Sequence, residues 1–368
     1  MKILYFFPYD GSFMTEWQRV QIFNEMSHYN VHFEIFNPLS YESYQQANEK
    51  LIKRLKEDKS IDLFMNCASS DMLHAETMKD IRLLSIPTLL ICFDNLHAPY
   101  MHKSIAPFFD MVWLTSKETE PMFKKWGCKT VFQPYAANPF LFVDRYKQHI
   151  DRLAFIGTPY GTRSAIINEL LKGDVNCDVF YMRKDGNTKA PVKDSLPNRI
   201  RNVSWMSRFP IGRKVLLSKF VAKIKGTQLL QNHPNFHAKY SLSFEEMNVA
   251  YSNYGLSLNI VDLLTTAVLK HPIQKLHLRT FEIPMSAGLE IVAKNGELEN
   301  YFSADEMIFY SDKEELIDKA RYYTKPSNAL LCRNMKIRAR ERAEREHCWK
   351  RRFDVVLNSM NLSCKDYD

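Results

Sequence analysis

The chain has 368 residues, too long for one ordinary core, and division by a typical domain of ~150 residues gives about two domains. Its apolar fraction of 45% and charged fraction of 25% are those of an ordinary folded protein, and the sequence shows no low-complexity tract and no internal repeat, so the whole length is expected to fold. The net charge of +8 favours an anionic partner, whether a phosphate group, a nucleic acid or an anionic lipid surface.

The first apolar run, Met1 to Phe7, stops at Pro8, so it reads as a strand and not as an export signal. Short β-rich runs then alternate with longer amphipathic stretches, the pattern of a parallel α/β sheet. Strands are predicted at Lys2 to Phe7, Val31 to Phe36, Ile61 to Met65, Thr88 to Phe93, Met111 to Thr115 and Thr130 to Gln133, giving one Rossmann-like lobe over residues 1–138. The run Ile86 to Phe93 is the longest apolar one and falls far short of the ~20 residues of a membrane-spanning helix. Asp10 and Gly11 end the first strand, and Asp94-Asn95-Leu96-His97 follows the fourth, on the carboxyl edge where open α/β sheets bind ligands. Asp94 and His97 are three apart, so one could orient or deprotonate the other as a general base or hydroxyl anchor; an Asx turn with an exposed His is the alternative. Asp10 is either a further catalytic group or a helix cap.

Pro134 and Pro139 bracket a segment that continues neither helix nor strand, and this marks the hinge. Beyond it, strands are predicted at Leu153 to Ile156, Cys177 to Tyr181, Gly255 to Val261, Leu289 to Ala293 and Met307 to Tyr310, a second lobe over residues 139–345. In Leu153-Ala-Phe-Ile-Gly-Thr-Pro-Tyr-Gly-Thr-Arg163 a strand leads through glycines 157 and 161 into a helix starting near Thr162. Glycines admit an anion to the backbone, helix-start N–H groups point at it, and Arg163 adds a positive charge; an ordinary strand-to-helix turn has the same spacing.

Ser195 to Phe244 contains no Asp or Glu. Over residues 199–225, Arg199, Arg201, Arg208, Arg213, Lys214, Lys219, Lys223 and Lys225 fall among Leu217, Phe220, Val221 and Ile224 at helical spacing. The segment fits a helix at an anionic membrane surface, or a core-facing helix with a solvated basic side. Leu330 to Met360 reads as a long closing helix with a helical tail over residues 346–368, its mixed charges forming a solvated face. The seven cysteines, Cys67, Cys92, Cys128, Cys177, Cys332, Cys348 and Cys364, are odd in number and contain no CxxC pair. They point to a reducing compartment and away from a zinc site. The expected location is the cytoplasm, with peripheral attachment at the inner face of the membrane through residues 199–225.

The run Arg279-Thr-Phe-Glu-Ile-Pro-Met-Ser-Ala-Gly288, with Glu297-Leu-Glu-Asn-Tyr-Phe302, Met307-Ile-Phe-Tyr310 and Lys313-Glu-Glu-Leu316, resembles the C-terminal half of CgeB-like GT-B glycosyltransferases. Gly157 to Arg163 and Leu256-Ser-Leu-Asn259-Ile260 fall in the family's order. The resemblance implies two Rossmann-like domains facing across a cleft, with a long C-terminal helix, acceptor bound by the first and donor by the second. It implies transfer of a sugar from a nucleotide sugar to a glycan, lipid-linked or other acceptor, in bacterial surface polysaccharide or glycoconjugate synthesis. It implies no cofactor and no metal, and no nucleic-acid partner is expected. Glu282 matches the family's ribose-holding Glu with one extra residue before the glycine, and Arg279, one helical turn before it, is placed against the diphosphate, with a surface salt bridge as the alternative. Gly157, Thr158, Tyr160, Gly161, Arg163, Asn259 and Gly288 complete the implied donor site. Relatives carry a second Glu eight positions before the first, where this chain has Gln274, which leaves the stereochemistry open. Glu290 restores the spacing but falls on the strand side of the turn and reads as a solvated surface group. The same scaffold also serves nucleotide-sugar epimerases and non-catalytic binding proteins, which remain alternatives.

Overall fold

The computed structural model describes residues 1–182, 196–225 and 229–362; Ser195 and Cys364 lie outside the described residues. Two compact units form, one of Met1–Asn138 with the chain from Cys348 onward, the other of Pro139–His347.

In the first unit, β1 (Lys2–Phe6), β2 (His32–Phe36), β3 (Leu63–Asn66), β4 (Thr88–Cys92), β5 (Met111–Leu114) and β6 (Thr130–Phe132) form one parallel sheet in the order β2-β1-β3-β4-β5-β6. β3, β4 and β5 are buried along their whole length, as strands covered on both faces must be. The helices α1 (Phe13–Gln18), α2 (Asn24–Ser27), α3 (Tyr44–Glu57), α4 (Ala75–Arg82) and α5 (Glu120–Lys125) lie in the crossovers. α3 shows why they form: the Ser43 side chain accepts the Gln46 N–H, and Ala47, Leu51 and Leu55 recur every fourth residue on its buried side.

In the second unit, β7 (Ile150–Ile156), β8 (Cys177–Met182), β9 (Phe236–Tyr240), β10 (Tyr254–Asn259), β11 (Glu290–Ala293) and β12 (Ile308–Tyr310) form a parallel sheet ordered β12-β11-β10-β7-β8-β9. Its helices are α6 (Thr162–Lys172), α7 (Leu196–Ser207), α8 (Pro210–Lys225), α9 (Phe244–Asn253), α10 (Arg279–Met285), α11 (Lys313–Thr324) and α12 (Ala329–Glu346). β9 was not expected. Its sequence, Phe-His-Ala-Lys-Tyr, sits in the acid-free stretch, and its half-buried pattern at the sheet edge carries little apolar signal.

The 18-residue α12 is less uniformly solvated than its charges imply. Arg340–Glu344 and Arg342–Glu346 pair along its surface, yet the fully buried Lys336 ammonium donates to the carbonyls of Ser252 (3.0 Å) and Tyr254 (2.7 Å). Arg340 likewise donates to the carbonyls of Phe142 and Met285.

The closing helix is interrupted at His347 and Cys348, and α13 (Trp349–Ser359) belongs to the first unit. Buried Glu25 accepts the Lys350 N–H at 2.6 Å, fixing the start of α13. Trp349 is fully buried, its ring centroid 6.0 Å from that of Trp17 and 6.3 Å from that of Trp113, while Phe353 meets Trp113 edge to face at 5.2 Å. Replacing Trp349 with Ala is expected to destabilise the first unit by ~3–5 kcal/mol, the range for emptying a buried tryptophan site. A urea titration of the full chain should show an early transition absent from the unsubstituted protein.

Candidate functional site

In the second sheet the chain runs outward from β7 through β8 to β9, then returns to the other side of β7 as β10. The switch point therefore lies between β7 and β10, where open α/β sheets place their ligand crevice. The loop 157–163 leaves β7 at that edge, and the segment leading to α10 leaves β10 beside it. Gly157 has φ 143° and Gly161 φ 58°, backbone states that side chains other than glycine's rarely adopt. Gly161 stands immediately before α6, and Thr162 begins it.

Two arginines meet at this loop. The Arg279 Nε donates to the Ile156 carbonyl at 2.9 Å, and Arg163 Nη1 donates to the Thr158 carbonyl at 3.2 Å. A Cβ on Gly157 would lie 2.5 Å from Arg279 Nη2 and 3.9 Å from Arg163 Nη1, so both guanidinium groups close on the same glycine. Arg163 also stacks over the half-exposed Tyr160 ring, at 4.5 Å from its centroid. Neither arginine forms an ion pair with a carboxylate among the described residues. Burial, and then the neighbouring Arg279 charge, lower the Arg163 guanidinium to about 10. A bound anion would relieve that repulsion, and the N–H groups at the start of α6 add to its field. Thr158 is exposed on the same loop.

α10 carries Arg279 on its first turn and Glu282 one turn later, with Glu282 only 3% exposed. Glu282, Glu290 and Arg279 all act on the buried Tyr251 phenol, which burial pushes well above its usual range. Glu290 is a correction to the reading from sequence: it is fully buried, not solvated. Its Oε1 accepts a 2.8 Å hydrogen bond from Asn259 Nδ2, which also donates to Thr280 Oγ1 at 3.1 Å. One asparagine thus ties β10, β11 and α10 together. Burial raises the Glu290 carboxyl to about 8. Gly288 stands behind α10, where a Cβ would lie 2.8 Å from the Ile283 carbonyl oxygen and 2.9 Å from that of Tyr251. It is needed for close packing of α10 on α9.

Gln274 pairs with Asp262 in an isolated antiparallel bridge that closes the loop between β10 and α10. Asp262, which the sequence reading passed over, lies three residues beyond the end of β10, and burial raises its carboxyl to about 6. Its signal in the sequence is an acid placed immediately after Ile260 and Val261. Among the described residues, no group of three or more His, Cys, Asp and Glu could hold a metal ion.

Asp10, Asp94 and His97 belong to the first unit. Asp10 follows β1, and its Oδ1 accepts from the Ser12 N–H (2.9 Å) and the Thr15 hydroxyl (2.7 Å) at the start of α1. Hydrogen bonds from Ser12, then Thr15, hold its carboxyl at about 2. Asp94 is exposed and His97 half-buried in the turn closed by Ala98 N–H to the Asp94 carbonyl at 3.1 Å. Buried Asn95 anchors that turn: its amide donates to the Ser116 carbonyl at 2.7 Å, and its oxygen accepts the Thr115 N–H at 3.1 Å.

Residues 213–358 match the model of a family described as glycosyl transferase-like. No curated protein matches the sequence. Among solved structures, the chain is similar to sucrose-phosphate synthase from Thermosynechococcus elongatus (TM-score 0.57, 11% identity, covering 98% of this chain and 97% of that one). It is similar to Anabaena Alr3699/HepE in complex with UDP-glucose (TM-score 0.57, 9% identity, 98% and 99%). An alpha-glucosyltransferase in complex with UDP-glucose and DNA containing an abasic site is similar too (TM-score 0.58, 12% identity, 97% and 99%). The fold is GT-B. Within this GT-B chain the matched family segment takes in α10 with Arg279 and Glu282, while the glycine loop with Arg163 lies upstream of it.

The buried Glu290 offers a direct check on the site's framework. With its carboxyl raised from 4.5 to about 8, the folded state holds a proton that the unfolded chain releases between those values. Its contribution to stability is therefore full below about pH 4.5 and is lost as pH rises through about 8. Glu290→Gln keeps a neutral acceptor for Asn259 without that loss. Its stability relative to the unsubstituted chain should rise between pH 5 and pH 8 by on the order of 1–3 kcal/mol, read from urea midpoints at the two pH values.

Proposed function

We propose that this chain transfers a glycosyl group from a nucleoside-diphosphate sugar to an acceptor hydroxyl, in the CgeB-like branch and in the assembly of a surface polysaccharide or glycoconjugate. The observation that carries the reading is the convergence of Arg163 and Arg279 on Gly157 with, among the described residues, no carboxylate ion-paired to either, a cradle for a diphosphate. The complexes of similar structures with UDP-glucose support a uridine nucleotide as the first donor to try.

In the reaction, the bond between the sugar's anomeric carbon and the diphosphate oxygen breaks, and the leaving diphosphate keeps the electron pair. The acceptor oxygen forms the new bond and gives up its proton to Asp94 or His97. Charge growing on the diphosphate is met by the two guanidinium groups and the start of α6, so we assign the step no bound metal. Glu282 accepts hydrogen bonds from the ribose hydroxyls. An epimerase on the same scaffold would alter its nucleotide sugar with no acceptor present, and a binding protein would release no product.

Arg279→Ala and Glu282→Ala should each weaken nucleoside-diphosphate binding by ~1.5–3 kcal/mol, the range for a charge-assisted partner, as read by calorimetry. Unchanged affinity in both variants would defeat the donor assignment. Asp94→Asn and His97→Gln should lower turnover while leaving nucleotide affinity intact, which separates chemistry from donor binding in the same assays.

A further inference from the structure

The two helices that connect β8 to β9 stand away from the sheet. α7 packs chiefly on α8, and α8 on the short turn Thr266–Val268 in the loop after β10. Among the described residues, Met206, Phe209 and Val215 are the buried apolar ones of the pair, and Gly212 lies so close to the Met206 carbonyl that a Cβ there would clash. The Ser218 and Thr265 hydroxyls are hydrogen-bonded at 2.8 Å.

This arrangement leaves large apolar side chains in solvent. Leu196, Ile200 and Val203 follow one face of α7, and Leu217, Phe220 and Ile224 one face of α8, each between 51% and 69% exposed. Single exposed apolar residues are normal on a protein surface, but two aligned stripes on adjacent helices mark an interaction site. Arg199, Arg201, Arg213, Lys214, Lys219 and Lys223 are exposed on the same helices. The nine Lys and Arg residues within 195–244, with no acid among them, exceed the chain's net charge of +8 and leave the remainder at −1. All of the chain's net positive charge is thus concentrated in this one segment.

We propose that the α7–α8 hairpin docks on an anionic lipid bilayer. A nucleic acid would satisfy the cations and leave Leu217, Phe220 and Ile224 in water. At a bilayer surface the cations meet anionic headgroups while the apolar stripes enter the acyl boundary. The placement has a consequence for the site. Thr265, held by Ser218 of α8, also lies against the nucleotide loop, its methyl 3.4 Å from where a Cβ on Gly161 would be. Docking therefore holds that loop near the lipid surface, where a lipid-linked acceptor is presented. This last consequence rests on the proposed glycosyl transfer, whereas the docking does not.

Co-sedimentation of the full chain with vesicles of phosphatidylcholine alone, and of phosphatidylcholine mixed with phosphatidylglycerol, tests the docking without any substrate. The expected result is binding to the mixed vesicles only, weakening as salt rises. Lys219→Gln with Lys223→Gln should lower the partition coefficient about thirtyfold. Phe220→Ser with Ile224→Ser, which keeps every charge, should lower it by at least about tenfold. Negligible binding to both vesicle types overturns the proposal. So does binding that the Phe220/Ile224 variant leaves unchanged while a DNA oligonucleotide competes it away, or a concentration-dependent dimer in sedimentation velocity that the same variant abolishes. Nucleoside-diphosphate affinity measured in the same preparations distinguishes failure of docking from failure of the glycosyl-transfer reading.

Discussion

Two guanidinium groups held beside one glycine, neither ion-paired with a carboxylate among the described residues, set the terms for the second unit. Burial, and then the Arg279 charge beside it, make the Arg163 charge costly and lower its guanidinium to about 10. The carbonyls of Ile156 and Thr158 hold the groups in place without neutralising them. Such an arrangement is least costly with an anion between the groups, so the loop's glycines, its left-handed backbone and the start of α6 follow from the same demand. Any side chain at 157 would collide with Arg279, which makes the bare backbone part of the cradle.

The cradle depends on α10 being fixed, because that helix carries Arg279 and Glu282. Asn259 provides the tie, joining the end of β10 to Thr280 of α10 and Glu290 of β11. Glu290 can serve as acceptor in a dry core because burial keeps it protonated over much of the neutral range. On the other side, Gly288 allows the turn after α10 to approach the Tyr251 carbonyl of α9. Lys336 of α12 then binds the Ser252 and Tyr254 carbonyls where α9 passes into β10, so the closing helix braces the strand that carries Asn259.

Much of this was legible in the residues. Eleven of the strands follow short β-rich apolar runs, fully buried in β3, β4, β5 and β10, and the loop 157–163 announces itself by glycines at a strand-to-helix step. What was not legible depends on distant neighbours. Glu290 looks like a surface acid until Asn259, thirty-one residues earlier, is seen to supply its hydrogen bond. β9 is a half-buried edge strand whose alternation, Phe-His-Ala-Lys-Tyr, is only five residues long and carries a single large buried side chain, Phe236. Leu217, Phe220 and Ile224 have helical spacing that suits either a core or a surface stripe, and the packing of α8 on one short turn leaves them outside. The break between α12 and α13 follows from Trp349 and Glu25, whose partners lie more than three hundred residues apart in the chain.

Within the first unit, hydrogen bonding separates three polar residues that the sequence places on one sheet edge. A carboxylate held at about 2 by Ser12 and Thr15 has little tendency to take a proton from a hydroxyl, since an effective base lies near the working pH. Asp10 accordingly shapes the entry to α1, and its hydrogen bonds are spent on that. Asp94 and His97 occupy a different turn, anchored from beneath by Asn95, whose amide and oxygen are bound to the chain around Thr115 and Ser116. The Thr115 hydroxyl and the Tyr135 hydroxyl both donate to the Phe93 carbonyl just before it, at 2.8 Å each. A turn pinned at both its entrance and its centre has a fixed backbone from which Asp94 projects exposed and His97 half-buried. Of the three, Asp94 and His97 are the ones we carry into the proposed transfer as the base, because the hydrogen bonds of Asp10 go to the start of α1.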